Sequence, residues 1–307
     1  MKRVPFLKRM FLPQKQLEQY YRALRQYKYE NNLPIKGINV RKALHGIILA
    51  ILRIECLFSG VKVKIVGDKR TATDKPCIYA CTHIGRYDVE SNFLALKDHF
   101  YVFYGDPGEV YRSVNGLLLH INGVIYADTD SKSDRKIGKE QSIKLLKQGA
   151  NLLIYPEGAW NITENEIVMK LFSGVIEMAV LGNAEIIPIS MENYGNTYYV
   201  NIGKNIDCTK MTLDRKREYA DELRDNMCTL KWEIWEKEGI GKRSDIDNGY
   251  SEMFLNSIMN QTVYGYTVEK IIKRRFKDKS ISTPEEAFAF MEQFIPKREN
   301  AFLFRKF

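Results

Sequence analysis

Apolar and polar residues alternate with period two in "VKVKIVG" (61–67), which predicts a half-buried strand. "PCIYACT" (76–82), "FYVFYG" (100–105), "GVIYA" (123–127), "NLLIY" (151–155), "EIIPIS" (185–190) and "TYYVNIG" (197–203) are short apolar runs of strand length. Between them lie helical patterns. One opens at Asp88 and runs through "VESNFLALKDH", one is "GEVYRSVNGLLLHI", one is "SDRKIGKEQSIKLLKQ" with Gly149 as its stop, and one is "KLFSGVIEMAVLG" (170–182). Strands alternating with helices predict an α/β fold: a mixed, largely parallel sheet flanked by helices. Sites in such sheets form beyond the carboxyl ends of the strands, and His83 and Glu157 each fall just past one.

A long helix is expected at about 212–238, where Leu223, Met227, Leu230 and Ile234 follow 4-3-4 spacing and Gly239 ends it. Residues 240–307 predict a helical C-terminal extension. In "STPEEAFAFMEQF", Thr283 reads as N-cap, Pro284 as the first helical residue and Glu286 as the capping-box acid. Phe288, Met291 and Phe294–Ile295 form the inner face of that helix.

Charge changes the picture at the other end. The whole chain carries +9, and residues 1–42 alone hold eleven basic and two acidic residues. A basic arm of this kind suits an anionic surface. "ALHGIILAILRIECLF" (43–58) follows it, apolar nearly all round but interrupted by Arg53 and Glu55. It is shorter than the roughly 20 residues that cross a bilayer. Two readings fit: a core helix behind a solvated arm, or a membrane-facing helix lying in the lipid interface. In the second, each basic residue adds about 1 kcal/mol of attraction to an anionic leaflet. The near-continuous apolar surface favours the second. The N-terminus lacks the apolar core and cleavage site of a signal peptide, so the sequon at Asn161 carries no weight.

Five cysteines, odd in number and without a C-x-x-C pair, read as reduced thiols of a cytosolic setting. His45, His83, His99 and His120 do not meet them at zinc-ligand spacing. No phosphate loop, dinucleotide fingerprint, nucleophile elbow or H-E-x-x-H is present. The basic arm is not interleaved with a stacking platform, which argues against nucleic acid.

The candidate chemistry lies in "CTHIGRYDVE" (81–90). His83 falls in the loop after a strand, and Asp88 opens the next helix. A carboxylate bonded to one ring nitrogen fixes the tautomer and leaves the other nitrogen as a base. Cys81 reads as a small buried hydrophobe rather than a nucleophile. Pro156, Glu157 and Gly158 end a buried strand, and the glycine admits close approach of a ligand to backbone. Pro188 inside "IIPIS" predicts a strand terminus beside the site.

"THIGRYD", "GVIYAD", "IYPEGAW" and "IIPIS", in this order over about residues 60–205, resemble the four sequence blocks of the glycerolipid acyltransferases, which include the lysophosphatidic acid acyltransferases. The chain then divides into three parts: the basic arm and interfacial helix (1–58), an acyltransferase domain (59–239) and the extension (240–307), which has no counterpart in the family. The resemblance implies that His83 takes the proton of an acceptor hydroxyl attacking a thioester, that Asp88 orients His83, and that Glu157 and Gly158 shape the acceptor pocket. No metal, bound cofactor or covalent acyl-enzyme is implied. The cosubstrate would be an acyl-CoA or acyl carrier protein thioester, the acceptor a lysolipid, and the location the cytoplasmic face of a membrane, held as a peripheral or monotopic protein.

Two family arginines are replaced: Thr129 follows Asp128 in the second block, and the third reads Gly158-Ala159-Trp160. Arg86, Arg135 and Lys170 are the cations available to bind an acceptor phosphate, and Trp160 could pack against a bulkier, less charged head. The acceptor is therefore 1-acylglycerol 3-phosphate or a non-phosphate lysolipid such as a lyso-aminolipid. A non-enzymatic lipid-binding protein is the reading from another class.

Overall fold

The computed structural model describes residues 4–5, 8–9, 11–105, 110–163, 166–239, 249–260 and 267–277. Residues 1–276 form one compact unit and 277–307 another. The expected helix of 282–295 lies outside the described residues.

Two helices, α1 (Gln14–Glu30) and α2 (Ile38–Phe58), precede an alternating series: β1 (Lys62–Asp68), β2 (Cys77–Cys81), α3 (Asp88–Leu96), β3 (Phe100–Gly105), α4 (Val114–Asn122), β4 (Val124–Ala127), α5 (Lys132–Lys147), β5 (Asn151–Ile154), α6 (Gly174–Gly182), β6 (Glu185–Tyr194), β7 (Thr197–Ile202) and α7 (Lys216–Glu238). Two further helices, α8 (Tyr250–Met259) and α9 (Val268–Arg274), follow. The seven strands form one sheet in the order β1-β7-β6-β2-β5-β3-β4. Every neighbouring pair is parallel except β6 and β7. The mixed, largely parallel sheet read from the chain is the one observed.

The sheet is covered on both faces, so its central strands are buried throughout. On β2, Cys77, Tyr79 and Cys81 pack with Ile48 and Leu52 of α2, Phe93 of α3 and Leu119 of α4. Ile78 and Ala80 point the other way, to Leu145 of α5, Ile176 of α6 and Met227 of α7. Side-chain direction alternates along a strand, which is why a continuous apolar run feeds two cores.

Three elements depart from expectation. The helix predicted from Lys170 begins at Gly174, because the amide of Phe172 is tied to Pro156 O at 2.8 Å and that of Met169 to Glu157. The segment 108–121 splits into a 3-10 turn (Val110–Arg112) and α4, whose first turn is capped by Ser113. Pro188 is not at a strand terminus: it sits inside β6, opposite Ala80 of β2. Its missing amide faces β7. There the ladder is interrupted between the Ile186–Ile206 bridge and the Ile189–Ile202 pair by one extra residue on the β7 side. Gly203 closes this bulge, donating to Pro188 O at 2.9 Å, and a Cβ there would lie 2.8 Å from Pro188 Cγ.

α1 uses part of its charge internally. Arg25 makes a two-pronged pair with Asp134 of α5 (3.0 and 2.6 Å) and donates to Tyr111, whose ring stacks on Tyr21 at 4.0 Å. Arg22 pairs with Asp128. α2 is apolar on two sides. Ile48, Leu49, Leu52 and Cys56 join the core, while Val40, Ile47, Ile51, Ile54 and Phe58, spaced 7-4-3-4, stand exposed in one stripe. Among the described residues no helix is long and apolar enough to cross a membrane.

Candidate active site

The site begins where β2 ends. Thr82 carries the strand direction one residue further: its amide donates to Ile189 O (3.1 Å), and its hydroxyl accepts from Met191 N (2.9 Å). The chain then turns out of the sheet at His83. Asp88, the first residue of α3, faces back from the helix start, and its Oδ2 lies 2.5 Å from His83 Nδ1. The same oxygen is within reach of the amides of Ile84 (3.2 Å) and Gly85 (3.4 Å). Two backbone donors just ahead of α3 thus hold this carboxylate oxygen in place. With Nδ1–H donated to Asp88, the lone pair of the neutral ring is on Nε2. The Asp88 side chain is 2 % exposed and that of His83 25 %, so the carboxylate is sealed and the imidazole is reachable.

Glu157 is 1 % exposed and holds this turn from behind. Its Oε1 accepts from His83 N (2.9 Å) and its Oε2 from Met169 N (2.8 Å). Burial pushes its pKa up, opposed by those amides and by the Lys231 charge. The amide of Asn161 closes the assembly on His83 O at 3.0 Å. Glu157 therefore ties the histidine loop to the loop that follows β5. Gly158 follows with φ +74°, and a Cβ there would lie 2.5 Å from Phe172 Cε2.

The structure thus brings His83, Asp88, Glu157, Gly158 and Trp160 together. The Trp160 ring meets the imidazole edge-on at 5.8 Å. Arg86 is exposed, its guanidinium 4.9 Å from the Tyr87 ring centre. It stands at the rim of an apolar cavity between α2, α3 and α4, lined by Leu52, Val89, Phe93 and Leu118, with the buried Glu90 in its wall. Lys170 lies 3.7 Å from Asp221 and 6.0 Å from the Phe276 ring, and Arg135 donates to Thr129 O. Cys81 is fully buried, and burial pushes its thiol pKa well up, as suits a packing residue.

Two functional neighbours escape a linear reading. Tyr155 stacks on the His83 ring at 4.3 Å. Asn92, one turn after Asp88, donates to Asp88 O (2.8 Å) and approaches Tyr155 Oη (3.2 Å). The signal available for Asn92 is a polar residue four after Asp88, on the same buried face of α3.

A base locked by a buried carboxylate, at the carboxyl end of a central strand and beside an apolar cavity, suits proton abstraction from an alcohol. The Acyltransferase family profile matches residues 62–192, which contain His83, Asp88, Glu157, Gly158 and Trp160. The 1-acyl-sn-glycerol-3-phosphate acyltransferase of Borreliella burgdorferi is 22 % identical over 190 residues, 58 % of this chain and 75 % of its own length. The 1-acyl-sn-glycerol-3-phosphate acyltransferase alpha of Mus musculus is 23 % identical over 224 residues, 68 % of this chain and 77 % of its own. The crystal structure of the 1-acyl-sn-glycerophosphate (LPA) acyltransferase PlsC from Thermotoga maritima superposes with a TM-score of 0.50 at 14 % identity, covering 73 % of this chain and 91 % of that one, which shows a shared fold. Residues 62–192 thus carry the pattern of the Acyltransferase family, and the chain is similar to 1-acyl-sn-glycerol-3-phosphate acyltransferases over more than half of its length.

Proposed function

We propose that this acyltransferase moves a fatty acyl group from a thioester to the free hydroxyl of a lysolipid, 1-acylglycerol 3-phosphate in the first place, giving phosphatidic acid. The observation that carries this reading is the 2.5 Å His83–Asp88 contact with the imidazole open to solvent. His83 Nε2 takes the hydroxyl proton as the oxygen attacks the thioester carbonyl. Asp88 stabilises the imidazolium that results. The tetrahedral intermediate then expels the thiolate, which recovers the proton from Nε2. The C–O bond forms, the C–S bond breaks, and the ring ends neutral. The apolar cavity beside Arg86 suits an alkyl chain.

The test is product analysis by mass spectrometry, with purified protein, vesicles, coenzyme A and carrier-protein thioesters in separate arms, and a panel of lysolipids. Acylated product from the phosphate acceptor supports the reading. Product from a lyso-aminolipid alone moves the acceptor to the alternative that the uncharged Thr129 and Trp160 favour, and no product from any lysolipid overturns it.

The protein acts at the cytoplasmic face of a membrane, lying on it through α2. Its exposed stripe would rest among the acyl chains while the basic arm meets anionic headgroups. Serine at Ile47, Ile51, Ile54 and Phe58 together is expected to reduce binding to anionic vesicles by about tenfold or more, since each removes an apolar side chain worth roughly 1.5–3 kcal/mol when buried. Flotation measures it. Thermal stability should stay unchanged, because the core face of α2 is untouched; equal flotation by both proteins would sink the membrane role of this helix.

A further inference from the structure

α9 lies against the site rather than away from it. Its Ile271, 2 % exposed, is buried with Ala159 and Met169, and Trp160 packs on the same cluster. The same Trp160 ring meets the His83 imidazole edge-on at 5.8 Å. Arg274 O stands 3.5 Å from the position a Cβ of Gly158 would take, and the Phe276 ring meets Phe172 at 5.2 Å. On its other flank, Lys273 reaches Asp130 in the loop after β4 at 3.6 Å. The segment thus bridges the loops that follow β4 and β5 at the carboxyl edge of the sheet. It is strongly basic: Lys270, Lys273, Arg274 and Arg275 stand against Glu269 alone.

Its ion pairs are of the exchangeable kind. Lys273 and Asp130 are 70 % and 52 % exposed, while Arg275 (28 % exposed) reaches Glu166 (39 % exposed) at 3.0 Å in a half-buried pair. Surface pairs of this sort contribute about 0–1 kcal/mol. A phosphate dianion offers three strong acceptor oxygens and a guanidinium matches its geometry, so it outcompetes a single carboxylate. We propose that Lys273 and Arg275 bind the anionic headgroup of the acceptor, which makes the C-terminal end of α9 and the residue that caps it a specificity-determining part of the site. The inference rests on the lysolipid reading above.

The test uses the full chain in neutral phosphatidylcholine bilayers, with 1-acylglycerol 3-phosphate and the uncharged monoacylglycerol as acceptors. K273Q/R275Q is expected to raise KM for the phosphate acceptor about tenfold or more, the size of losing charge-assisted hydrogen bonds, with kcat within about twofold and the neutral acceptor unaffected. D130N, which releases Lys273 from its partner, should lower that KM, a gain that a merely structural contact would not produce. An unchanged KM in K273Q/R275Q, or equal losses for both acceptors, overturns the proposal.

Should the wild type acylate no lysolipid, the functional reading fails, and the headgroup site is decided without catalysis. sn-Glycerol 3-phosphate is then titrated against Trp160 fluorescence in a W232F/W235F background, which leaves Trp160 as the one indole of three. Quenching that weakens about tenfold in K273Q/R275Q upholds the site, and equal or absent quenching in both proteins overturns it.

Discussion

Alanine at position 83 is expected to lower kcat for acyl transfer by about a thousandfold, within the range that a positioned general base contributes. The geometry sets both the size and the specificity of the effect. The imidazole is the partly exposed member of the pair, and its Nδ1 is held 2.5 Å from a carboxylate that also takes amide donors from Ile84 and Gly85. Removing the ring leaves Asp88 with those two donors, so the loop keeps much of its order and the loss falls on chemistry. D88N should be nearly as damaging for a different reason. An asparagine can present its NH2 to Nδ1, which favours the tautomer with its proton on Nε2, where the base must be empty. Single-turnover rates with saturating lysolipid, alongside melting curves, separate the two contributions. If H83A transfers acyl groups within tenfold of wild type while melting normally, the histidine is not the base and the mechanism falls.

Much of this site was legible along the chain, and what was not has a common physical cause. β3 spans Phe100–Gly105 as read, because a six-residue apolar run between polar boundaries admits little else. His83 and Asp88 are five residues apart and joined by one turn, so their contact is local. By contrast, Tyr155 reaches the imidazole from just past the end of β5, and Glu157 reaches across 74 residues to the His83 amide. No periodicity reports such contacts. The late start of α6 has the same origin. The pattern of 170–182 is helical, but long-range ties from Pro156 and Glu157 hold the preceding residues in a loop. Pro188 misled for the converse reason: a proline in a central strand is tolerated when the ladder is already broken on the side its amide would face. The charge of residues 1–42 was visible, yet its division was not. Arg25 is fixed by Asp134 and Tyr111, whose proximity is set by how α1 lies on α5.

Glu157→Ala is expected to destabilise the protein by about 3–5 kcal/mol and to reduce activity in the fraction that still folds. Two backbone amides, those of His83 and Met169, have this carboxylate as their acceptor, at 2.9 and 2.8 Å. Each buried donor left unsatisfied costs roughly 1–3 kcal/mol, and the emptied volume adds to that. Structural loss and catalytic loss are coupled here. The His83 amide anchors the base itself, while the Met169 amide anchors the loop that carries Trp160 and receives α9. E157Q separates them in part. Its carbonyl keeps one acceptor, but its NH2 turns the second position into a donor facing a donor, so an intermediate loss is expected. Hydrogen exchange supplies the readout that a global melt lacks: the amides of His83 and Met169 should be protected in the wild type and become among the fastest-exchanging of the sheet-edge amides in E157A. Unchanged melting with both amides still protected would mean that other contacts carry these loops, and Glu157 would then be free to serve the acceptor directly.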